Sequence, residues 1–405
     1  MKYITRTIWI LSLVSLFADV ASEMLYPVMP IYLKTIGFSV VLIGVLEGVA
    51  EAVAGLSKGY FGKLSDTTGK RTPFIQLGYL LSAISRPMMV AFVYPLWIFS
   101  ARTLDRFGKG LRTGARDAML SDEATQKTKG KVFGFHRSMD TFGAVLGPSL
   151  ALLYLYYFPE DYKTLFLVAF IPGLIAFFST LLIKDKKTID QKPKHKVTFF
   201  SFIKYWKQSP AMYRKLVIGL LVFTLFNSSD VFLLLKAKQS GFDDTTIIGM
   251  YIFYNLIYAL FAFPIGILAD GIGLKTIFIT GLGLFALVYF GMAFNTNKYL
   301  FFALFFVYGL FSAATEGISK AWISNITPKK DTATAIGTFT GFQSICAMLA
   351  SSLTGLIWFY FDAATAFIAT AIVTVLVMFY LMTIAKPPTT TVEVIEAENK
   401  PVIKG

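Results

Sequence analysis

Apolar segments of about 20 residues recur along the whole chain, and they restrict its possible folds more than any other feature. A helix that crosses the hydrocarbon core of a membrane needs about 20 mostly apolar residues, because no water is present there to satisfy its backbone. About twelve such segments can be counted. They cover residues 7–33, 39–61, 73–95, 96–119, 131–157, 164–184, 215–236, 245–268, 276–294, 299–323, 332–360 and 363–385. The sequence therefore predicts an all-α membrane protein with about twelve transmembrane helices.

The composition excludes several other classes of protein. Of the 405 residues, 55% are apolar and 15% are charged, whereas soluble domains have about 45–50% and about 25%. A water-soluble enzyme is therefore excluded. The single cysteine, Cys346, excludes an intrachain disulfide framework and a cysteine-based metal cluster. No phosphate-binding loop is present, so direct use of ATP is not expected, and neither a cofactor nor a metal site is predicted. A transition-metal site formed by Asp19, Glu23, Glu47 and Glu51 is an alternative, against which the adjacent arginines argue.

The basic residues lie mainly in the connections on one side of the predicted membrane. With the N-terminus placed inside, about 24 Lys and Arg residues fall in cytoplasmic segments and five in periplasmic ones. Cytoplasmic loops carry an excess of Lys and Arg, so both termini are predicted to be cytoplasmic, in a multi-pass protein of the cell inner membrane. The net charge of +14 is spread over short loops rather than one folded face, and no nucleic-acid partner is expected.

The first apolar segment follows Lys2 and Arg6, as a signal peptide would. It lacks a cleavage site of small residues and continues through Pro27 and Pro30. We therefore interpret residues 7–33 as a transmembrane helix.

An internal repeat divides the chain into two halves. Residues 37–38 recur as 241–242 and the loop 62–71 recurs as 266–275, at an offset of 204 residues. Parallel repeats of this kind build many secondary transporters. The predicted organisation is an N-terminal six-helix half (1–184), a basic cytoplasmic linker (185–214), a C-terminal six-helix half (215–385) and a cytoplasmic tail (386–405). Within the linker, two alternatives stand for residues 199–206: an amphipathic helix at the membrane surface, or a solvated tether.

The repeated loop carries the family resemblance. Its first copy reads Gly-x-Leu-Ser-Asp-x-x-Gly-Lys-Arg between the second and third predicted helices. This pattern resembles the signature loop of the major facilitator superfamily, and helix count, half-repeat and linker agree with that family over essentially the whole chain. The resemblance implies the major facilitator fold, with two pseudo-symmetric six-helix halves and a cytoplasmic latch formed by the loops. The latch residues would be Gly62, Asp66, Gly69, Lys70, Arg71, Gly266, Asp270, Gly273 and Lys275.

The fifth predicted helix carries a second resemblance. Gly143, Gly147 and Pro148 are similar to the Gly-x-x-x-Gly-Pro element of the superfamily's proton-driven exporters. Ala151 and Leu152 stand where that element usually has two glycines. Small residues at four-residue spacing also serve plain helix packing. We interpret the element as favouring export over this packing alternative.

Ionisable residues within the predicted helices are the candidates for function. Each one at mid-helix costs at least about 2.5–3.5 kcal/mol, so each needs a partner or a cavity. They concentrate on helices 1, 4, 7 and 10, which line the central cavity in the resembled fold. A carboxylate beside an arginine can switch between a proton-bound and an ion-paired form, so Asp19, Glu23 and Glu51 are the proton-coupling candidates. The candidates for the cavity and substrate are Glu47, Arg102, Asp105, Arg106, Asn227, Asp230, Tyr254, Asn255, Glu316 and Lys320.

Static salt bridges within the N-terminal half are the alternative for these charges. We favour that alternative for the cytoplasmic end of helix 4, at Arg112, Arg116 and Asp117, and for Arg137 with Asp140. For the deeper cluster we favour function, because ionisable residues inside a membrane are functional by default.

The sequence as a whole predicts a monomeric proton-coupled secondary transporter working by alternating access. Its partners would be a small organic substrate, protons and membrane lipid, with export by antiport favoured. One alternative is a symporter or facilitator for an organic anion held by Arg102 and Arg106. A remote alternative is a membrane receptor or a lipid-modifying enzyme on a transporter scaffold. Transport is favoured over an enzyme because no nucleophile–base constellation is found.

Overall fold

The computed structural model describes residues 4–26, 28–185, 198, 201–295 and 297–384. Within these residues the chain forms α-helices and one short 3₁₀ turn at Lys329–Asp331, and no strand. The helices are α1 (Arg6–Glu23), α2 (Met29–Thr35), α3 (Val40–Thr68), α4 (Thr72–Ala91), α5 (Pro95–Glu123), α6 (Lys129–Tyr157), α7 (Tyr162–Thr180), α8 (Ser201–Gln208), α9 (Ala211–Phe226), α10 (Val231–Gln239), α11 (Asp244–Ile272), α12 (Leu274–Phe294), α13 (Lys298–Asn325), α14 (Thr332–Tyr360) and α15 (Ala363–Met382). The all-α fold in two six-helix halves is confirmed, with α1–α7 in one half and α9–α15 in the other.

Two of the twelve predicted spans are broken helices. The prediction of one continuous helix over 7–33 is wrong, because α1 ends at Glu23 and α2 begins at Met29. Pro30 lies in the first turn of α2, where a missing N–H is tolerated. The seventh span is likewise split into α9 and α10 by residues 227–230, whose Asn, Ser and Asp side chains compete with helical backbone bonding.

The apolar helices are long enough to cross a membrane. Among the described residues, nine helical segments qualify on length and hydropathy. The long helices outside this set, α1, α3 and α5, each carry three or more Asp, Glu, Lys or Arg residues. The chain is therefore a multi-pass membrane protein in which these charges are concentrated on a few helices.

The two halves meet most closely where glycines face each other. The helix α3 packs on α14 of the other half, and α6 packs on α11 in the same way. A methyl group on Gly62 would lie 2.4 Å from the Ala333 carbonyl oxygen, and one on Gly266 would lie 2.3 Å from the Gly130 carbonyl oxygen. These contacts lie near the end of the bundle where α7 ends and α9 begins, which we call the linker side. The halves are closed against each other on that side.

The short helix α8 packs on the linker side of the bundle. It contacts α3 of the first half and α14 of the second. Phe202 and Tyr205 are buried, and the Phe202 ring covers Gly59 so closely that a methyl group there would lie 2.5 Å from it. The predicted amphipathic segment is thus helical from Ser201 and buries its apolar face against protein. Residues 186–197 and 199–200 of the predicted linker and 385–405 at the C-terminus lie outside the described residues.

Candidate functional site

A polar cavity of about 330 Å³ lies between the two halves. Most of its wall comes from α1, α4, α5 and α6 of the first half, and α13 and α14 of the second half complete it. Nine basic and five acidic residues line it. They are Lys58, Arg86, Arg102, Arg106, Lys109, Arg112, Arg116, Arg137 and Lys320, and Asp19, Glu23, Asp105, Asp140 and Glu316. The wall therefore carries a formal excess of four positive charges.

The cavity contains seven of the thirteen residues that the sequence predicts for proton coupling and substrate binding. These seven are Asp19, Glu23, Arg102, Asp105, Arg106, Glu316 and Lys320. The other six, Glu47, Glu51, Asn227, Asp230, Tyr254 and Asn255, are not among the residues that line it. Glu47 and Glu51 stand behind the wall as partners of its basic residues, and the remaining four belong to α9–α11 or to the break between α9 and α10.

Helix α5 supplies the row of charges along the cavity. Arg102, Arg106 and Lys109 follow each other at intervals of four and three residues, which places them on one helix face. The Arg102 guanidinium donates to both carboxylate oxygens of Glu47, at 2.7 and 2.9 Å. The Nη2 atom of Arg106 lies 3.9 Å from Glu47. Arg102 is thus neutralised, while Arg106 keeps most of its capacity to donate.

Lys109 and Asp19 are the charged groups of the cavity with the fewest partners. Among the described residues, neither the Lys109 ammonium nor the Asp19 carboxylate has a hydrogen bond or an ion pair. Asp19 interacts electrostatically with Asp140 and Glu23 and also with Lys109. By contrast, Lys58 donates to Ser344 of the other half at 2.7 Å and lies 4.0 Å from Glu51. Lys109 and Asp19 are therefore the groups most available to a ligand or a proton.

Ion pairs join the two halves on the linker side of the cavity. The Lys320 ammonium of α13 lies 2.7 Å from the Asp117 carboxylate of α5, which also contacts Arg116 at 3.0 Å. Arg137 of α6 lies 2.5 Å from Asp140 and 3.8 Å from Glu316 of α13. The salt-bridge interpretation agrees with these distances for Arg116 with Asp117 and for Arg137 with Asp140. It is wrong for Arg112, which donates to the Ser82 hydroxyl at 2.6 Å and has no ion pair among the described residues. The partners from the second half show that the bridges also connect the halves.

We expect Lys320→Met to lower the stability of the protein. The Asp117 side chain has no exposed surface, and removing one partner of a buried pair costs up to about 3–5 kcal/mol. Because Arg116 remains beside Asp117, we expect a loss nearer 2 kcal/mol. Thermal unfolding of the purified protein in detergent measures it. Lys320→Arg, which keeps a positive charge beside Asp117, should retain most of the stability, and an unchanged unfolding temperature for Lys320→Met would contradict the assignment.

A cluster of tyrosines surrounds Asp230 in the second half, at the break between α9 and α10. Asp230 accepts hydrogen bonds from the hydroxyls of Tyr254 and Tyr308, the latter at 2.8 Å. Nearby on α11, the Tyr251 hydroxyl donates to Glu23 of the first half at 3.0 Å. Asn255 donates to the carbonyl of Tyr251 within its own helix, at 3.0 Å. Asp230 is therefore surrounded by tyrosine hydroxyls, and the neighbouring Tyr251 contacts Glu23, which lines the cavity.

The signature loops bind the opposite half on the linker side. Asp66 accepts hydrogen bonds from the backbone N–H groups of Ala333 and Thr334, at 3.3 and 2.6 Å, and so caps the first turn of α14. In the second copy, Asp270 caps the first turn of α6 through the N–H groups of Gly130 and Lys131, at 2.7 and 2.8 Å. Each loop therefore caps a helix of the other half, and the two caps follow the internal repeat.

Arg71, Lys275, Gly69 and Gly273 support these loops within their own halves. Among the described residues, Lys70 takes part only through its backbone, with its carbonyl accepting from the Ser65 hydroxyl at 3.0 Å. The Arg71 guanidinium lies 2.6 Å from Asp66. Lys275 donates to the carbonyls of Met382 and Ile384, at 2.7 and 2.6 Å. Gly69 and Gly273 have φ angles of +65° and +106°, which residues with a side chain rarely adopt.

Helix α6 packs against α1 through its two predicted glycines. A methyl group on Gly143 would lie 2.6 Å from the Leu16 carbonyl oxygen, and one on Gly147 would lie 2.8 Å from the Val20 carbonyl oxygen. Pro148 follows within α6. Close packing therefore accounts for the spacing of this element, directly beside Asp19.

Sequence reasoning did not assign Lys58, Lys109 or Tyr26 to the cavity, which all three line. Lys109 follows Arg106 by three residues on a charged helix, and this spacing was the available signal. No sequence signal indicated Tyr26, because it belongs to a segment that was expected to be a continuous helix.

Comparisons with known proteins agree with this architecture. The family model described as Major Facilitator Superfamily matches residues 11–256 and 231–404. An MFS-type transporter of Methanocaldococcus jannaschii is 31% identical over 363 residues, which are 88% of this chain and 89% of that protein. Citrate exporter 1 of Aspergillus niger is 22% identical over 180 residues, 44% of this chain and 33% of that protein. The crystal structure of the human organic anion transporter MFSD10 shares the fold, with a TM-score of 0.81 over 93% of this chain and 99% of that one at 14% identity.

Proposed function

Because the chain belongs to the major facilitator superfamily, and is thus a transporter rather than an enzyme, we propose that it carries a small organic anion together with protons. The membrane would be the cytoplasmic one, with both termini and the linker side in the cytoplasm. The observation that supports this proposal is the excess of basic over acidic residues around the cavity.

The charge balance of the cavity favours an anionic substrate. Nine basic residues face five acidic ones, and Glu47, Glu51 and Asp117 behind the wall leave one net positive charge. A cavity with this balance and low-dielectric walls concentrates anions. Lys109 has no carboxylate partner among the described residues, so its ammonium is available to an anionic group of the substrate.

Proton coupling follows from Asp19. Its carboxylate lines the cavity without an ion pair among the described residues, and Lys109 is within electrostatic range. A proton on Asp19 removes one negative charge from the cavity and strengthens the attraction for an anion. Proton and anion would then bind cooperatively, which is the linkage of a symporter. Glu23 and Glu51 are further proton-coupling candidates, held by Tyr251 and near Lys58 respectively.

Alternating access would require the linker-side contacts to separate. The Asp66 and Asp270 caps and the ion pairs of Lys320 and Arg137 all join the halves there. Because the cavity lies between two halves of one chain, a monomer surrounded by lipid is sufficient for this movement.

Export by proton antiport is the second candidate. The Gly143, Gly147 and Pro148 element favours it, and one relative is named a citrate exporter. The close packing of both glycines on α1 gives that element a structural reason, so we place symport first.

Reconstitution in liposomes that contain a pH-sensitive dye tests the proposal. A gradient of a permanently charged anion such as benzenesulfonate is imposed with the pH equal on both sides and the membrane potential clamped by potassium and valinomycin. Symport predicts that the interior becomes acidic as the anion enters. An alkaline interior would support antiport instead, and anion flux without a pH change would overturn proton coupling. Flux of organic cations alone would overturn the anion assignment.

A further inference from the structure

We propose that Tyr26 and Tyr251 form a clamp for a planar aromatic ring, so that the transported compound is an aromatic organic anion. The inference rests on the proposed anion transport and adds the class of substrate. It places the anionic group near Lys109 and Arg106, and the ring between the two tyrosines, one from each half.

The two tyrosine rings have the geometry that a clamp requires. Their planes are inclined by only 17° and their centroids are 6.5 Å apart. A planar ring inserted between two others needs about 7 Å, which is two van der Waals contacts of about 3.5 Å. Because the centroid distance is the largest spacing that the two planes can have, an outward shift of at least about 0.5 Å would admit a substrate ring that stacks on both tyrosines.

Tyr26 is the side of the clamp that can move. It follows the end of α1 at Glu23, in the break before α2. The residue is 49% exposed although it lines the cavity, and no hydrogen bond of its hydroxyl is found among the described residues. The exposed part of its ring is therefore open to a ligand in the cavity.

Tyr251 is the fixed side of the clamp. Its hydroxyl donates to Glu23 at 3.0 Å, and its ring packs edge-on against Tyr254 with a centroid distance of 5.4 Å. The Tyr254 hydroxyl is in turn bound to Asp230. This chain of contacts holds the Tyr251 ring in place, so one face stays available toward Tyr26.

The clamp lies next to the basic residues of the cavity. Glu23, which holds the Tyr251 hydroxyl, lines the cavity together with Lys109 and Arg106. Arg106 and Tyr26 both line the cavity. A compound whose anionic group and aromatic ring are adjacent could contact both regions at once. The geometry therefore selects for a small aromatic sulfonate, carboxylate or phosphate rather than an aliphatic one.

Two matched probes separate the ring from the charge. Benzenesulfonate and cyclohexanesulfonate both carry a permanent negative charge, so neither crosses the bilayer as a neutral acid, and they differ only in whether the ring is planar. We expect the full-length protein in liposomes to transport the aromatic probe at least about tenfold more efficiently, and to bind it at least about tenfold more tightly in detergent, the effect of stacking on two rings.

Variants of Tyr26 test the clamp itself. Tyr26→Leu should remove the preference for benzenesulfonate, whereas Tyr26→Phe, which keeps the ring, should retain it. Equal handling of both probes by the wild-type protein, or a preference that survives in Tyr26→Leu, would overturn the clamp and leave the anion transport intact. If phenyltrimethylammonium binds to the wild-type protein but not to Tyr26→Leu, and neither sulfonate binds, the clamp stands and the anion assignment fails. If none of the three probes binds, the aromatic-anion proposal is overturned.

Discussion

Asp19→Asn should abolish pH-driven accumulation of the substrate while exchange of substrate across the membrane continues. Asparagine imitates a permanently protonated aspartate, so the cavity still attracts the anion but can no longer release a proton. We expect accumulation under a pH gradient to fall at least about tenfold, an effect of roughly 1.4 kcal/mol on the coupled step. Uptake into liposomes with an acidic exterior, compared with counterflow at equal pH, measures both quantities.

Asp362→Asn is the matched control for this experiment. Asp362 caps the first turn of α15 through the N–H of Thr365 at 2.6 Å and does not line the cavity. Asparagine caps helices as well as aspartate does, so this variant should behave like the wild type. Glu51→Gln makes the corresponding change at Glu51, the proton-coupling candidate near Lys58. If Asp19→Asn and Glu51→Gln both retain pH-driven accumulation, the assignment of proton coupling is wrong.

Gly266→Val should open the linker side and stop transport without unfolding the protein. Even a methyl group on Gly266 would lie only 2.3 Å from the Gly130 carbonyl oxygen. The larger valine side chain therefore cannot fit where α6 and α11 touch. Separation of these helices would also remove the Asp270 cap of α6. The population should therefore shift to a state in which the halves are apart on that side, by at least about 1.4 kcal/mol or tenfold.

Labelling of a cysteine at the interface measures this shift. Thr334 of α14 is fully buried and its hydroxyl contacts Asp66 of the other half at 2.7 Å, so Thr334→Cys in a Cys346→Ser background reports the separation. Gly249→Val is the control, because no atom lies within 4 Å of a methyl group at that position of α11. We expect maleimide to label Gly266→Val at least about tenfold faster than the control. Equal rates would show that the contact does not control the closed state.

The helices were predictable from the sequence because hydropathy and length are local properties. Twelve apolar runs correspond to helices at these positions, and the repeated loops 62–71 and 266–275 placed the two halves in order. The breaks at residues 24–28 and 227–230 were missed, since apolar residues continue on either side of them. The predicted division of the chain at residues 184 and 215 stays a prediction.

The candidate site was only partly predictable, because a helix face is defined locally but its partner is not. Spacing placed Arg102 and Arg106 on one face of α5, yet only the structure shows that Arg102 is neutralised by Glu47. The family resemblance placed Asp230, on the seventh predicted helix, among the cavity candidates, whereas the structure surrounds it with tyrosine hydroxyls.

By itself, the sequence determined that this protein is a helical membrane protein in two related halves, since an apolar run can satisfy its backbone in hydrocarbon only as a helix. It also showed which helices carry charge. The tertiary structure decided which of those charges are available. Asp117 pairs with Lys320, which lies 203 residues later in the sequence, and Asp66 caps a helix that begins 266 residues after it. Lys109 lines the cavity without an ion pair among the described residues. Such pairings depend on how the helices are rotated and packed against each other, and no local pattern in the chain specifies that.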